Sequence, residues 1–203
     1  MDLHKSRSMA IVETMAEVKG LMANGATVER LDAAKVALGA LATRRDLFPE
    51  TDCPWPSQLD GNNCWCLFED EDGTALYIDL LNRGISTVPH DHGSSWAIVT
   101  GVEGRETHRL YKRVDGNKGP GTATLEKVGE LTISDGESVS MLVGGIHAIE
   151  AVGEERSMML HCYGKGFDHQ TDRLEFDETS GTCAHSVDAA GVIQSFPLHP
   201  DAL

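Results

Sequence analysis

From about residue 62 the chain breaks into short runs rich in β-formers, each closed by a glycine or an acidic turn, with no helical periodicity between them. The runs are Leu76–Leu81, Ser95–Thr100, Glu106–Val114, Ala123–Ile133, Ser138–Val143, Ala148–Val152 and Met158–Tyr163. Asp72-Gly73, Asp115-Gly116 and Asp135-Gly136 mark turns between them. Such a succession predicts a mainly β sandwich or barrel. The first 45 residues read differently. Ile11, Met15, Val18 and Met22 recur at helical spacing, Asn24-Gly25 interrupts, and Thr27 caps a second helix carrying Val28, Leu31, Lys35, Leu38 and Leu41. Prolines at 49, 54 and 56 then end helix formation. The expected organisation is a single domain over 1–203: a helical hairpin in 1–50, a barrel over 62–177 and an irregular tail over 178–203.

With 203 residues and 40% hydrophobic side chains, the chain can bury a core without staples. The net charge is −15, and residues 1–50 hold seven acids against seven bases, so the β region carries the whole excess. No Lys/Arg cluster remains there to neutralise phosphates, which argues against nucleic acid. An acidic surface also repels anionic membranes. No apolar run approaches the ~18 residues of a membrane helix, and the N-terminus lacks a signal-peptide core. The expectation is a soluble, cytoplasmic chain. Its five cysteines, an odd number without repeated C-x-x-C spacing, read as free thiols.

The chemistry concentrates in Gly84-Ile85-Ser86-Thr87-Val88-Pro89-His90-Asp91-His92. Two histidines at i and i+2 on an extended strand share a face and can reach one ion. Gly84, His90, His92 and Gly104 fall in register with the motif G-x5-H-x-H-x3–4-E-x6-G, with Ala97 in the glutamate position. Gly136, Gly144 and His147 match a second motif, G-x5-P-x-G-x2-H-x3-N, with Leu142 for the proline and Ala151 for the asparagine. These spacings resemble the cupin superfamily, which implies a jelly roll with a metal site, to which the helical periodicity of the first 45 residues adds an N-terminal hairpin. Three neutral imidazoles leave the full +2 charge on such an ion and attract an anionic ligand. Imidazole alone does not choose among Fe, Zn, Ni and Cu.

The sequence further resembles the thiol dioxygenases, cupins with a three-histidine ferrous site. The resemblance spans most of 40–181 and rests on Asp46-Leu47-Phe48-Pro49-Glu50, His90-Asp91-His92-Gly93-Ser94-Ser95-Trp96, Leu160-His161-Cys162-Tyr163-Gly164, Arg173-Leu174-Glu175-Phe176-Asp177 and Thr179-Ser180-Gly181. The Leu160 and Arg173 segments are most similar to the bacterial 3-mercaptopropionate dioxygenases. That resemblance implies His90, His92 and His147 as metal ligands. It also implies His161 and Tyr163 as members of a Ser-His-Tyr relay, and Arg173 as the anchor of a substrate carboxylate. Met159 stands where the relay serine falls, and Ala97 where eukaryotic cysteine dioxygenases carry a cross-linking cysteine. Cys64-Trp65-Cys66 replaces their carboxylate-binding arginine.

The function this implies is oxidation of a small thiol carboxylic acid by O2 at Fe(II), giving a sulfinate. Tyr163 backed by His161 would act on the oxygen ligand, Arg173 would hold the carboxylate, and Trp96 and Met159 would wall the pocket. Two other readings fit the same residues: a Zn or Ni lyase or hydrolase, and a ligand-binding jelly roll without turnover.

Overall fold

The computed structural model of the chain describes residues 2–57, 62–153, 156–186 and 192–202. Two helices come first, α1 (Leu3–Met22) and α2 (Val28–Ala42). Each starts at a short polar side chain that satisfies an orphan N–H: Asp2 accepts from His4 at 3.0 Å and Thr27 from Arg30 at 3.3 Å. Ile11, Met15 and Val18 of α1 and Leu31, Leu38 and Leu41 of α2 are buried, as their spacing predicts. Val28, counted with that face, opens α2 and is 57% exposed.

Twelve strands follow among the described residues: β1 (Asn62–Glu69), β2 (Ala75–Leu81), β3 (Ala97–Glu103), β4 (Glu106–Arg113), β5 (Gly121–Thr122), β6 (Leu125–Ile133), β7 (Ser138–Met141), β8 (Ile146–Ala151), β9 (Ser157–Tyr163), β10 (Leu174–Asp177), β11 (Thr182–His185) and β12 (Val192–Ser195). One sheet runs β12-β1-β2-β9-β3-β7 and a second β6-β4-β8. Residues 86–90 extend the second sheet, bridging β8 at Ser86–Glu150 and His90–His147. From β2 onward the chain passes back and forth between two antiparallel layers, β2-β9-β3-β7 and (86–90)-β8-β4-β6. That strand order is an eight-stranded jelly roll, the cupin architecture, with the helical hairpin added at its N-terminus.

Period-two alternation splits β2, β3 and β9 between the interior and the helices. Leu76, Ile78, Leu80, Ile98, Leu160 and Cys162 join the helix residues in one core cluster, while Ala75, Tyr77, Ala97 and Tyr163 face inward. The four motif glycines, Gly84, Gly104, Gly136 and Gly144, have φ of 79°, 76°, 77° and 80°. A Cβ on Gly104 would also meet the Arg156 carbonyl oxygen, so this turn between β3 and β4 needs glycine twice over.

The tail is more ordered than its sequence suggests. β11 pairs with β10, and β12 runs parallel to β1. Beyond β12, the Phe196 ring lies 6.3 Å from that of Trp65 and under the Arg7 guanidinium, and His199 N–H donates to Ser8 Oγ at 3.0 Å. The partners of β12 and of the residues after it lie more than 100 residues upstream, which is why no local periodicity announced that strand; β11 instead forms a local hairpin with β10. All five cysteines are free and buried. Among the described residues, no helix is long and apolar enough to cross a membrane.

Candidate metal centre

His90, His92 and His147 each present one ring nitrogen, and the three atoms lie within 4.8 Å of one another. Strand geometry brings them together. His90 and His147 are directly opposed, exchanging both backbone bonds: His90 N–H to His147 O at 2.8 Å and His147 N–H to His90 O at 3.0 Å. His92 follows His90 by one period, and the ring centroids of the three are 4.6–5.4 Å apart. The loop between them is pinned by Asp91, whose Oδ1 accepts from Gly93 N–H at 3.0 Å and Leu174 N–H at 2.8 Å.

The donor set fits a transition metal. His90 Nδ1 lies 2.9 Å from the Val88 carbonyl, so it carries the proton and leaves Nε2 as a free lone pair. His92 Nε2 and His147 Nε2 are buried without a hydrogen-bond partner, a costly arrangement unless something accepts those lone pairs. Burial, reinforced by Arg173, pushes His90 down to about 3. Burial and the neighbouring histidines hold His92 and His147 well below the ordinary imidazole value. Neutral imidazoles are the form that binds a cation.

Beside this cluster lies a cavity of about 260 Å³ whose lining includes Asp79, His90, His161, Tyr163, Phe167 and Arg173. His161 Nδ1 and Tyr163 Oη are 2.9 Å apart, as their shared strand face predicts, and the Tyr163 ring packs 5.2 Å from that of His92. Burial raises the Tyr163 phenol and pushes His161 down to about 3, so both are neutral near pH 7. Arg173 is delivered by β10, which pairs alongside Pro89–Asp91 through Phe176 N–H to Pro89 O and Asp91 N–H to Leu174 O. Its Cζ lies 5.8 Å from the Phe167 ring centre, and its Nε is buried without a partner. Among the described residues it makes no ion pair with Glu175 or Asp177; Glu175 instead accepts from Ser186 Oγ at 2.7 Å.

Two expected wall residues do not line this cavity. Trp96 precedes inward-facing Ala97, so alternation turns it the other way, into the helix-side core and a recess with Lys19 and Met22. Met159 does face inward, yet one layer deeper than His161, packed with Val99, Ile133 and Val139.

Three polar residues escaped the sequence reading. Asp79 lines the cavity with one carboxyl oxygen lacking a hydrogen-bond partner, and burial pushes its carboxyl up to about 7. Glu106 and His108 are 0% exposed inside the barrel, behind His147. All three carried a readable signal, an acid or histidine at an inward position of an otherwise β-like run. Glu106-x-His108 even repeats the i, i+2 logic of His90-x-His92.

No family model and no curated protein matches the chain. Among solved structures, it resembles oxalate oxidase in complex with the substrate analogue glycolate, at 18% identity over 62% of this chain and 61% of that one, with a TM-score of 0.45. KdgF from a Halomonas species is 16% identical over 57% of this chain and 89% of that one, with a TM-score of 0.42. A conserved Klebsiella pneumoniae protein with a double-stranded β-helix domain is 14% identical over 48% and 67%, with a TM-score of 0.34. The chain thus spans less than two thirds of the oxalate oxidase it matches.

Proposed function

We propose that the chain is an Fe(II)-dependent dioxygenase that converts a small thiol carboxylic acid, 3-mercaptopropionate or a close analogue, to its sulfinate. One observation carries the reading: His90 of the three-imidazole cluster, the His161–Tyr163 pair and Arg173 with its unpaired Nε border one cavity. The overall change, RSH + O2 → RSO2H, is balanced: sulfur loses four electrons, dioxygen gains them, and no further reductant is needed. When bound by His90, His92 and His147, a ferrous ion supplies the redox chemistry and coordination positions that join sulfur to O2.

The remaining work falls to this chain's own side chains. Arg173 offers its planar fork to the substrate carboxylate. With His161 Nδ1–H donating to the Tyr163 oxygen, the phenol proton stays available to an acceptor in the cavity, where negative charge develops during oxygen transfer. Leu81, Ile149 and Phe167 supply apolar lining that limits water. Five free buried thiols suit a reducing, cytoplasmic compartment.

The test is metal analysis of protein purified without chelator, followed by oxygen uptake with a panel of thiols. Iron with thiol-dependent oxygen consumption is the expected result. Zinc or nickel without oxygen uptake moves the assignment to a Lewis-acid lyase or hydrolase on the same imidazoles. Thiol binding without turnover makes the barrel a ligand-binding cupin.

A further inference from the structure

We propose that His108, backed by Glu106, is a positioning residue that locks His147 in its metal-binding tautomer. The inference rests on the three-histidine metal reading and not on the identity of the substrate. His108 and His147 are diagonal neighbours on β4 and β8, with rings stacked at 5.3 Å and 18°. Their Nδ1 atoms are 3.1 Å apart and both are buried, so a single proton lies between them.

Two arrangements satisfy that contact. If His108 donates, His147 carries its own proton on Nε2, the atom aimed at the cluster, and cannot bind a cation there. If His147 donates, its Nε2 is a free lone pair, and the second proton of the pair sits on His108 Nε2. A carboxyl oxygen faces that proton, just beyond hydrogen-bond reach. His108 Nε2 faces Glu106 Oε2 at 3.7 Å, and neither atom has a hydrogen-bond partner. The other carboxyl oxygen, Oε1, is taken by the Ser157 hydroxyl at 2.7 Å. The hydroxyl donates to Oε1, so Oε2 turns lone pairs toward His108 when the carboxyl is ionised, the form that a cation held by His147 favours. The chain Ser157–Glu106–His108–His147 therefore favours the metal-binding form of His147.

The arrangement compensates for a ligand this cupin lacks. Ala97 removes the motif carboxylate from direct coordination, while Glu106 returns a carboxyl group two residues behind the ion. Because 3.7 Å exceeds a full hydrogen bond, His108 should matter more than Glu106.

The experiment uses the full chain loaded with Co(II), with affinity read by chelator competition and ring N–H protons read by paramagnetic NMR. His108→Leu is expected to weaken Co(II) binding by about 10–100-fold. His108→Gln, whose carbonyl can accept directly from His147 Nδ1–H, should recover most of that loss. Wild-type Co(II) protein should show a shifted, exchange-protected His147 Nδ1–H signal, lost in His108→Leu. Absence of that signal in the wild type overturns the proposal without any variant having to fold. Unchanged affinity in a folded His108→Leu chain overturns it too. A wild-type chain that binds no divalent metal instead overturns the metal reading beneath it.

Discussion

Arg173 reaches the cavity over the Phe167 ring with a buried, unpartnered nitrogen and no acidic partner at Glu175 or Asp177. Under the proposed function this cation takes the substrate carboxylate. Arg173→Ala should therefore weaken mercapto acids by about 2 kcal/mol, the low end for a desolvated charge pair because the residue is only half-buried. A thiol-amine without a carboxylate should be nearly unaffected, and Lys should restore only part of the loss. Kinetics on the two substrate types decide the matter; equal losses for both would make Arg173 a fold residue. Tyr163 makes the complementary case. Its hydroxyl touches His161 and borders the cavity, so Tyr163→Phe should lower kcat at least tenfold, roughly the scale of one lost transition-state hydrogen bond, with little change in KM. An unchanged kcat would return it to the core. At this scale the three-histidine cluster and the His161–Tyr163 contact were legible because period-two spacing and motif register are local properties. Asp79, Glu106 and His108 carried the same inward-facing signal, but no motif register singled them out, and only the neighbouring strands show what they face.

Among the elements, two strand pairings build the site: 86–90 on β8 sets His90 against His147, and β10 beside Pro89–Asp91 brings Arg173 in. Both depend on tight turns between layers. Gly104 is the most exposed to test, combining φ of 76° with a Cβ position occupied by the Arg156 carbonyl. Gly104→Ala should cost about 1–3 kcal/mol, read as a lower urea midpoint at unchanged m-value. A midpoint equal to wild type would show that the β3–β4 turn rearranges freely. Strand existence was readable from alternation and turn residues, and so were the two helices. What alternation could not supply was phase: Trp96 was expected in the pocket, and only the inward placement of Ala97 sends it to the helices. Depth was equally hidden, since Met159 and His161 share a face but occupy different layers.

For the molecule as a whole, the polar barrel interior predicts an unusual stability profile in metal-free protein. His90 and His161 are pushed down to about 3 and His108 to about 4 by burial, and His92 and His147 lie well below normal. The unfolded chain binds more protons at these five sites below about pH 6.5, so their contribution rises with pH up to that value. Asp79 and Glu106 act oppositely: raised to about 7 and about 8, they hold protons that the unfolded chain has released, and stability falls as pH climbs toward those values. Five sites outweigh two on the acid side, and only the two acids act above. The urea midpoint measured in chelator should peak near about pH 6.5 and fall more steeply toward acid. A midpoint still climbing at pH 8 would show that Asp79 and Glu106 are ionised in the fold. The end of the tail was the least readable part, because the partners of β12 and of the residues after it are β1 and α1 at the far end of the chain. That long-range closure has a consequence for synthesis. A ribosome releases α1 and β1 first, yet β1 cannot gain its outer neighbour until residues 192–195 have emerged. Throughout elongation the nascent chain thus carries an open strand edge beside Trp65, and its shielding is left to chaperones or to speed.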